Sequence, residues 1–392
     1  MSIAIVGVGE AKQGRSAAAS PMALHASLVD LALADARITL ADVDAILTVS
    51  PRADPYLIHA AALAEFLGIA PSITWTIEAG GAAPAAMVEV ARGLIDGGQA
   101  RTVLAVAADM PLGAVSRNSY VKTLAEAGPV HPDYERPFAP TVPAMFGLVA
   151  RAHMNAYATK REHFAAVAMQ DRAMASMHPN AHFTAPLSLD TYISGAPIAD
   201  PLTMFDCAPV SDGGGAFVMT AIEGNSSQTN GNSGNTHRNV VRVLGTGFST
   251  NHQHLSAAPS LVEFGAGRAL DGALKMAELD RDAIDVAMIY DCFTIAMLVN
   301  LEDLGFVEKG RSGPVFAAGG FGRNSAMPVN THGGLLSHGH PARAGGIGNL
   351  IEAVLQVRAE CGPRQVDDVR VAMAHGMGGV FATHGVVVVG QP

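Results

Sequence analysis

The chain has 392 residues, of which 49% are hydrophobic and 15% are charged, and its formal net charge is −10. This length gives a soft expectation of two or three structural units, and the hydrophobic content excludes a largely disordered chain. The excess of acidic residues argues against nucleic acid as a principal partner, because proteins that bind nucleic acid present basic surfaces. A phosphate-bearing ligand stays open, since it needs only a local cluster of amides and basic side chains.

The cysteine content and the N-terminal segment predict a reduced, cytoplasmic protein. Cys207, Cys292 and Cys361 are widely spaced, and the first residues lack the basic leader of a secreted chain. The most apolar stretch, 286–301, is interrupted by Asp291 and is shorter than the roughly 20 residues that span a bilayer. We therefore expect no membrane span.

Strands and helices alternate in the first half of the chain. After an opening strand that ends near Gly9, the pattern over 29–49 predicts a helix, a turn that contains aspartate and a short buried strand. The elements that follow are a strand over 73–77, a helix over about 84–95, a strand over 102–108 and a closing strand over 215–222. Their strand segments are continuously apolar, which is typical of mainly parallel sheets covered on both faces.

A second half repeats this pattern. Residues 29–49 align without a gap onto 270–290 at a constant offset of 241, so that Asp44 matches Asp285. A helix over about 346–360 and strands over 369–374 and 383–389 follow. Two matched pairs of aspartates in an ungapped alignment indicate an internal duplication.

Two stretches interrupt the repeat. Residues from about 111 to 209 lack its rhythm, and they predict a loop domain inserted in the first half with at least one helix around 145–177. Residues 224–239 contain no large apolar side chain and predict a flexible linker. The predicted units are therefore 1–223 and 240–392, joined by that linker.

Two other motifs carry little weight for nucleotide binding. The opening strand runs into Gly7-Val8-Gly9, but Lys12 stands where the third glycine of a dinucleotide-binding motif would fall. A Walker-type phosphate loop is absent from the sequence. We expect a plain turn after the opening strand.

Four histidines lie in two glycine-rich segments: His332, His338, His340 and His375. No cysteine or carboxylate accompanies them at metal-site spacing, so we expect no metal. At least one of them is expected to act as a catalytic acid or base, while the alternative is that they satisfy buried backbone groups.

Six ordered segments resemble the sterol-carrier-protein-2-type branch of the thiolase superfamily. These segments are YERPF (134–138), HPNAHF (178–183), IADPLTMFDCAPVSDGGGAFVM (198–219), YDCFT (290–294), NTHGGLLSHGHP (330–341) and AHGMGG (374–379). The resemblance implies an α/β thiolase fold of two β-α-β-α-β-α-β-β halves, stacked as a five-layer α-β-α-β-α sandwich with an inserted loop domain. It also implies a homodimer.

The resemblance implies a nucleophilic cysteine at the start of the buried helix, and this chain has glycine there. The place falls on Gly81 after Gly80, and no Cys, Ser or Thr lies between Glu78 and Val90. Without a nucleophile the acyl-enzyme route has no first step. Of the other positions that the family uses, Tyr290 replaces a histidine, His340 is retained and His375 matches only loosely.

These residues predict an enzyme that acts on an acyl-CoA thioester at the Cα–Cβ bond, by aldol or retro-aldol chemistry without a covalent intermediate. We expect His340 to stabilise the enolate or carry a proton, Tyr290 to face the hydroxyl, and the helix end at Gly80 and Gly81 to bind the thioester oxygen. Which group is the general base stays open. Coenzyme A enters as part of the substrate, no cofactor is expected to be tightly bound, and thiolase-like aldolases imply an OB-fold partner protein.

Three alternatives stay open at this stage. Cys292 could serve as the nucleophile of an acyltransferase-type thiolase, although a packing role is favoured because buried cysteine commonly acts as a small apolar residue. Tyr290 could be a core tyrosine whose hydroxyl bonds to the backbone. The chain could also be a catalytically silent subunit that binds acyl-CoA or lipid.

Overall fold

A computed structural model describes residues 2–114, 116, 130–138, 140–222 and 240–391. The predicted linker 224–239 lies outside the described residues, as does part of the predicted insertion. The first half ends its last strand at Ile222 and the second half begins its first strand at Val241. The exact domain boundaries stay a prediction.

The described residues form eleven strands and ten helices. The strands are β1 (Ser2–Glu10), β2 (Ala45–Thr48), β3 (Ile73–Thr76), β4 (Thr102–Asp109), β5 (Pro197–Ala199), β6 (Leu202–Thr203), β7 (Gly213–Ile222), β8 (Val241–Thr250), β9 (Val286–Met288), β10 (Val371–Gly378) and β11 (Thr383–Gly390). The helices are α1 (Pro21–Ala36), α2 (His59–Leu67), α3 (Ala83–Asp96), α4 (Val142–Tyr157), α5 (Arg161–Ala175), α6 (Leu189–Ile193), α7 (Ala266–Ala277), α8 (Thr294–Asp303), α9 (Ser312–Ala317) and α10 (Gly346–Val357).

Nine of these strands join in one mixed sheet, in the order β3-β2-β4-β7-β1-β8-β11-β10-β9. The five strands of the first half come first and the four of the second half follow. The halves meet through a short antiparallel contact in which Ala4 pairs with Arg242 and Ile5 pairs with Val241. Strand β2 runs parallel to β3 and β4, and β9 runs parallel to β10, whereas the other five pairings in this sheet are antiparallel. The expectation of a mainly parallel sheet was therefore wrong, because continuously apolar strands indicate burial on both faces and not strand direction.

Five layers result, because both faces of each half-sheet are apolar and covered by helices. Along β4, Val103 and Ala105 pack toward the middle of the molecule, whereas Leu104 and Val106 pack against α1 and α2. The middle layer consists of α3 and α10, which lie between the two half-sheets. Helices α7 and α8 cover the far face of the second half. The α/β thiolase fold predicted from the sequence is confirmed.

The opening glycines serve helix packing instead of a turn. Gly7 and Gly9 lie inside β1, and a side chain on either would meet the backbone of Ala32 in α1, with Cβ 2.3 Å from its carbonyl oxygen at Gly7 and 2.7 Å from its nitrogen at Gly9. The expectation of a turn here was wrong, because close approach of α1 to β1 requires these glycines.

The duplication is confirmed at its aspartates. The Asp44 carboxylate accepts hydrogen bonds from the backbone N–H groups of Arg101 and Thr102, at 2.8 and 2.9 Å. The Asp285 carboxylate accepts from those of Arg370 and Val371, also at 2.8 and 2.9 Å. Each aspartate thus joins the start of its own strand, β2 or β9, to the start of the neighbouring strand.

The second half departs from the repeat where its third strand would lie. Only Val329 pairs with Ala287 there, as an isolated parallel bridge. Next to it, the Asn330 side chain accepts from the Ile289 N–H at 2.7 Å and donates to the Ile289 carbonyl at 2.9 Å. A side-chain amide therefore replaces the backbone ladder at this edge.

In the described part of the inserted segment, the helix predicted around 145–177 is confirmed as two helices, α4 and α5, and the short helix α6 follows them. Helix α4 ends at Tyr157, the next residue Ala158 has a left-handed φ of +56°, and α5 begins at Arg161. The residues after α5 are hydrogen-bonded to the segment that leads to His340, since the backbone N–H of His182 donates to the His338 carbonyl at 2.7 Å. Among the described residues, no helix is long and apolar enough to cross a membrane.

Candidate functional site

Tyr290 lies two residues beyond β9, and its backbone and its side chain are both fixed. Its N–H donates to Nδ1 of His375 at 3.4 Å, and its carbonyl accepts from Nδ2 of Asn300 at 2.9 Å. The side chain is 4% exposed, and its hydroxyl lies 3.1 Å from Nε2 of His340. The two residues predicted to act together are therefore in direct contact.

His340 is partly buried, and loss of solvent lowers the pKa of its imidazole to about 4. A hydrogen bond between the ring and the residue's own backbone opposes this shift. The ring is therefore neutral near pH 7. Because Nε2 faces the Tyr290 hydroxyl, Nδ1 is the nitrogen left for the backbone bond, and Nε2 can accept the phenolic proton.

A short stretch of the inserted segment positions His340 from the other side. The Ser211 N–H donates to the His340 carbonyl at 3.2 Å, and the His340 N–H donates to Ser211 Oγ at 3.1 Å. Ser211 Oγ in turn lies 2.8 Å from Nδ1 of His182. Ser211 and His182 were missed from the sequence as positioning residues, although both lie in segments that carried the family resemblance.

Gly80 and Gly81 form the first turn before the buried helix. A 3₁₀ turn covers Gly80–Ala82, and α3 proper begins at Ala83 with Pro84 in its first turn. The Ala82 amide bonds to the Ala79 carbonyl, the Ala83 amide bonds to the Gly80 carbonyl, and Pro84 has no N–H. The amides of Gly80 and Gly81 are thus the candidates for binding a ligand at this helix end.

Gly81 faces the Tyr290 ring directly. A Cβ atom at Gly81 would lie 2.3 Å from Cε2, Cζ and the hydroxyl oxygen of Tyr290, and one at Gly345 would lie 3.2 Å from the same hydroxyl. The tyrosine ring therefore occupies the volume into which a side chain at position 81 would project.

His375 contacts the Tyr290 backbone, not its hydroxyl. Its Nε2 lies 3.1 Å from Nδ1 of His384, so both of its ring nitrogens have protein partners. Burial, followed by the neighbouring His384, holds the pKa of His375 well below its ordinary value. This geometry fits a residue that positions Tyr290, and the catalytic role of His375 stays a prediction.

Asp291, the next residue along, forms a buried carboxyl pair with Asp171 of α5. The Asp291 carboxylate accepts from the amides of Leu335 and Leu336, at 2.7 and 3.2 Å. Burial, then the neighbouring Asp291, raises the pKa of Asp171 well above its ordinary range, and burial raises that of Asp291 to about 6. Burial of both carboxyl groups therefore favours the protonated form of at least one of them, and the pair joins α5 to the segment that carries His340.

Cys292 is 8% exposed. Burial, then the Asp291 carboxylate, raises the pKa of its thiol well above the ordinary value. A thiol that holds its proton this firmly is a poor nucleophile.

One group of described residues has the composition of a metal site. Carboxylate and imidazole atoms of Glu10, His178 and His338 lie within 4.8 Å of one another. Burial disfavours the charge on Glu10, but His338 and then His178 hold its pKa below the ordinary range. Nδ1 of His178 accepts from the Asn180 N–H at 3.1 Å, so the neutral ring carries its proton on Nε2 toward Glu10. This tautomer fits a hydrogen-bond network better than metal ligation, and the expected absence of metal stays a prediction.

Comparisons with known proteins place these features in a family. Residues 247–391 match the model of the thiolase C-terminal domain-like family. The chain is 29% identical over 387 residues to an acetyl-CoA acetyltransferase of Methanothermobacter thermautotrophicus, covering 97% of both chains. It is 31% identical over 243 residues to sterol carrier protein 2 of Oryctolagus cuniculus, covering 61% of this chain and 43% of that protein.

Two solved structures share the whole fold. The "Ltp2-ChsH2(DUF35) aldolase" superposes with a TM-score of 0.84 at 25% identity, covering 100% of this chain and 98% of that one. The chain therefore has the fold of the thiolase superfamily. A monomeric thiolase-like protein of the sterol-carrier-protein-2 type from Mycobacterium smegmatis superposes with a TM-score of 0.74 at 18% identity, covering 100% of this chain and 77% of that one.

In this chain of thiolase fold the structure brings most of the predicted site together. Gly81, Tyr290 and His340 are in contact, and His375 lies directly behind Tyr290. Cys292 is two residues from Tyr290, and the raised pKa of its thiol disfavours a nucleophilic role. The roles of all these residues stay predictions that the geometry makes specific.

Proposed function

We propose that this chain is an acyl-CoA lyase that cleaves or forms the Cα–Cβ bond of a 3-hydroxyacyl-CoA by retro-aldol or aldol chemistry. The contact between the Tyr290 hydroxyl and His340 Nε2 at 3.1 Å, beside the helix end at Gly81, carries the proposal. As an acid/base pair, these two groups would lie next to amides suited to a thioester oxygen. Its aldolase structural neighbour supports this reaction class.

The absence of a side-chain nucleophile at the helix end supports a route without an acyl-enzyme. No Cys, Ser or Thr occurs between Glu78 and Val90, and Gly81 stands at the position that the resemblance assigns to the nucleophile. Retro-aldol cleavage needs no such group, because the electron pair of the breaking carbon–carbon bond moves into the thioester.

In the proposed reaction, the oxygen of Tyr290 accepts the proton of the substrate's 3-hydroxyl as the phenolic proton passes to Nε2 of His340. The Cα–Cβ bond breaks, the hydroxyl-bearing carbon becomes a carbonyl, and the thioester becomes an enolate. The proton then returns to Cα and gives the shorter acyl-CoA. An imidazole with a pKa of about 4 is neutral at pH 7 and releases the proton readily.

The amides of Gly80 and Gly81 would stabilise the enolate oxygen. Donors fixed before the reaction lower its barrier most when they face the atom on which charge develops. Gly81 is held in place because side-chain atoms at Gly346 or Gly376 would approach its carbonyl oxygen to 2.2 and 2.5 Å. This close packing keeps the turn rigid.

An acyltransferase that uses Cys292 is the second candidate, and the sequence identity with an acetyl-CoA acetyltransferase favours it. The raised pKa of the buried Cys292 thiol opposes it. A partner subunit is a further part of the proposal, because the aldolase neighbour carries the name of a DUF35 protein beside its own. Homodimer formation likewise belongs to the proposal.

The function is tested by incubating the purified chain with a panel of 3-hydroxyacyl-CoA substrates and measuring the shortened acyl-CoA and the carbonyl product by mass spectrometry. A parallel sample contains proteins co-purified with the chain from its native source. Turnover without an acyl adduct in intact-mass spectra supports the lyase. An adduct on Cys292, with loss of turnover after iodoacetamide, supports the acyltransferase, and acyl-CoA binding without turnover in either sample supports the silent subunit.

A further inference from the structure

We propose that positions 81 and 290 together determine the reaction class: a tyrosine at 290 requires glycine at 81, so the chain cannot hold the phenol and a helix-end nucleophile at once. The inference rests on the proposed function for its chemical meaning. Its steric part stands on the packing alone.

The first step is the clash itself. A Cβ atom at Gly81 would approach three atoms at the far end of the Tyr290 ring to 2.3 Å, whereas real Cβ contacts stay beyond about 3 Å. Alanine is the smallest side chain with a Cβ. Every residue other than glycine at position 81 therefore displaces the ring.

The backbone at Gly81 has no room to retreat. A Cβ at Gly346 would lie 2.2 Å from the Gly81 carbonyl oxygen, and a Cβ at Gly376 would lie 2.5 Å from it. On the preceding residue, a Cβ at Gly80 would lie 2.8 Å from Cα of Gly378. The starts of α3 and α10 and the strand β10 are thus packed backbone to backbone around this turn.

The tyrosine backbone is fixed as well. Tyr290 bonds to His375 through its N–H and to Asn300 through its carbonyl. A side chain at position 81 must therefore turn the ring about its side-chain torsions, which removes the hydroxyl from its place 3.1 Å from His340. The acid/base contact and a helix-end side chain are mutually exclusive.

A shorter side chain at position 290 removes the conflict. The clashing atoms are Cε2, Cζ and the hydroxyl oxygen, which form the outer end of the tyrosine ring. A histidine ring does not reach as far from its Cα. Histidine at 290 therefore leaves space for a side chain at 81.

The experiment compares Gly81→Ala, Tyr290→His and the double variant Gly81→Ala/Tyr290→His with the wild type. Alanine adds the clashing atom without a nucleophile, so it isolates the steric effect. We expect Gly81→Ala to lower the Tm of the wild type by about 2–6 °C. In the Tyr290→His background the same substitution should lower Tm by much less, so the double variant should have nearly the Tm of Tyr290→His. Gly93→Ala is the matched control, because Gly93 lies in the same helix and a Cβ there meets no atom within 4 Å.

Two further readouts address reaction class. Gly81→Ala should reduce retro-aldol turnover on the order of a hundredfold, while Gly93→Ala leaves it unchanged. In Gly81→Cys/Tyr290→His, iodoacetamide should modify the thiol at position 81 faster than Cys292, because a helix end favours a thiolate whereas burial and the Asp291 carboxylate raise the pKa of the Cys292 thiol.

The proposal is overturned if Gly81→Ala keeps the wild-type Tm. It is also overturned if Gly81→Ala lowers Tm as much in the Tyr290→His background as in the wild type. Faster labelling of Cys292 than of the thiol at position 81 in Gly81→Cys/Tyr290→His would also overturn it. If the wild type shows no retro-aldol turnover, the proposed function fails, but the Tm comparison still decides the steric coupling. The two failures are therefore distinguishable.

Discussion

The two ends of the duplicated strands differ in how much they have diverged. At the starting ends of β2 and β9, Asp44 and Asp285 make the same two hydrogen bonds with lengths that agree to 0.1 Å. At the other ends, Val49 of the first half occupies the position of Tyr290 in the second. Val49 is a buried core residue, whereas Tyr290 contacts His340.

This difference indicates that the starting ends of the strands have a structural role, whereas the carboxyl ends have a role in the candidate site. The starting end holds neighbouring strands together, and a carboxylate that accepts two amides satisfies that need equally well in both halves. The carboxyl end of parallel strands is where α/β folds place ligand sites, so a change there alters chemistry at little cost to the sheet. Substitutions at the two ends should therefore give different kinds of defect.

The largest expected effect is on turnover at the carboxyl end. Tyr290→Phe and His340→Ala should each lower kcat on the order of a hundredfold or more, with acyl-CoA affinity nearly spared, because both groups act in proton transfer. The double variant should lose less than the product of the two single losses. Turnover and calorimetric affinity are measured separately.

Tyr192→Phe is the matched control for the loss of a buried hydroxyl. The Tyr192 hydroxyl donates to the Asp206 carboxylate at 2.6 Å, so its removal should lower Tm and leave kcat unchanged. Full activity in Tyr290→Phe would show that Tyr290 is a core packing residue, as Val49 is in the first half.

The second effect is a pH dependence of stability that comes from the buried pair of Asp171 and Asp291. The pKa of Asp171 is raised well above its ordinary value of 3.8 and that of Asp291 is raised to about 6, so the folded chain holds protons that the unfolded chain releases above about pH 4. The free energy of unfolding therefore falls as pH rises. Asp171→Asn keeps a donor toward Asp291 without this titration. Between pH 5 and 7, the free energy of unfolding of this variant should therefore fall less steeply than that of the wild type, by up to about 1.4 kcal/mol per pH unit.

Urea unfolding of the wild type and the Asp171→Asn variant at pH 5, 6 and 7 measures the difference. Asp44→Asn serves as the control variant, because the hydrogen bonds to the Asp44 carboxylate come from backbone N–H groups and not from another carboxyl group. Parallel declines in the wild type and Asp171→Asn would show that the pair does not share a proton.

The third effect should be equal in the two halves. Asp44→Ala and Asp285→Ala each remove two backbone hydrogen bonds to a carboxylate, and each should lower the free energy of unfolding by about 2 kcal/mol with kcat unchanged. The sites are independent, so the double variant should show the sum. Chemical denaturation tests this, and a cost confined to one aspartate would break the equivalence of the halves.

The smallest effect is an expected lack of change with pH. Because burial lowers the pKa of His340 to about 4, the neutral acceptor persists between pH 5.5 and 7.5, and kcat should vary by less than about twofold. A histidine with an ordinary pKa near 6.5 would lose about nine tenths of its neutral form over that range. A kcat that falls tenfold from pH 7.5 to 5.5 would contradict the assignment.

Sequence patterns predicted the elements whose cause is local. Apolar periodicity located β4 and α3 to within a residue or two, and the aligned aspartates predicted the equivalence of the two strand starts. The motifs also identified Tyr290 and His340, which proved to be in contact. Each of these signals is carried by neighbouring residues or by a repeat of fixed spacing.

The rest depends on packing between distant residues. The Asn330 amide replaces a strand through its side chain, which no hydrophobic pattern records. Asp171 meets Asp291 only because α5 lies against the second half, and the tyrosine ring fills the space at Gly81 across more than 200 residues of chain. Such contacts leave no trace in local composition.

The glycine turn beneath the Tyr290 ring also constrains how such a site changes over generations. A lineage that exchanges a cysteine at position 81 for this phenol cannot acquire the tyrosine first, because the two side chains would overlap. The accessible order begins with the loss of the nucleophile, which leaves a sterically sound protein without its earlier chemistry. An inactive ancestor, tolerated for binding alone or sheltered by a duplicate gene, is the step that this packing demands.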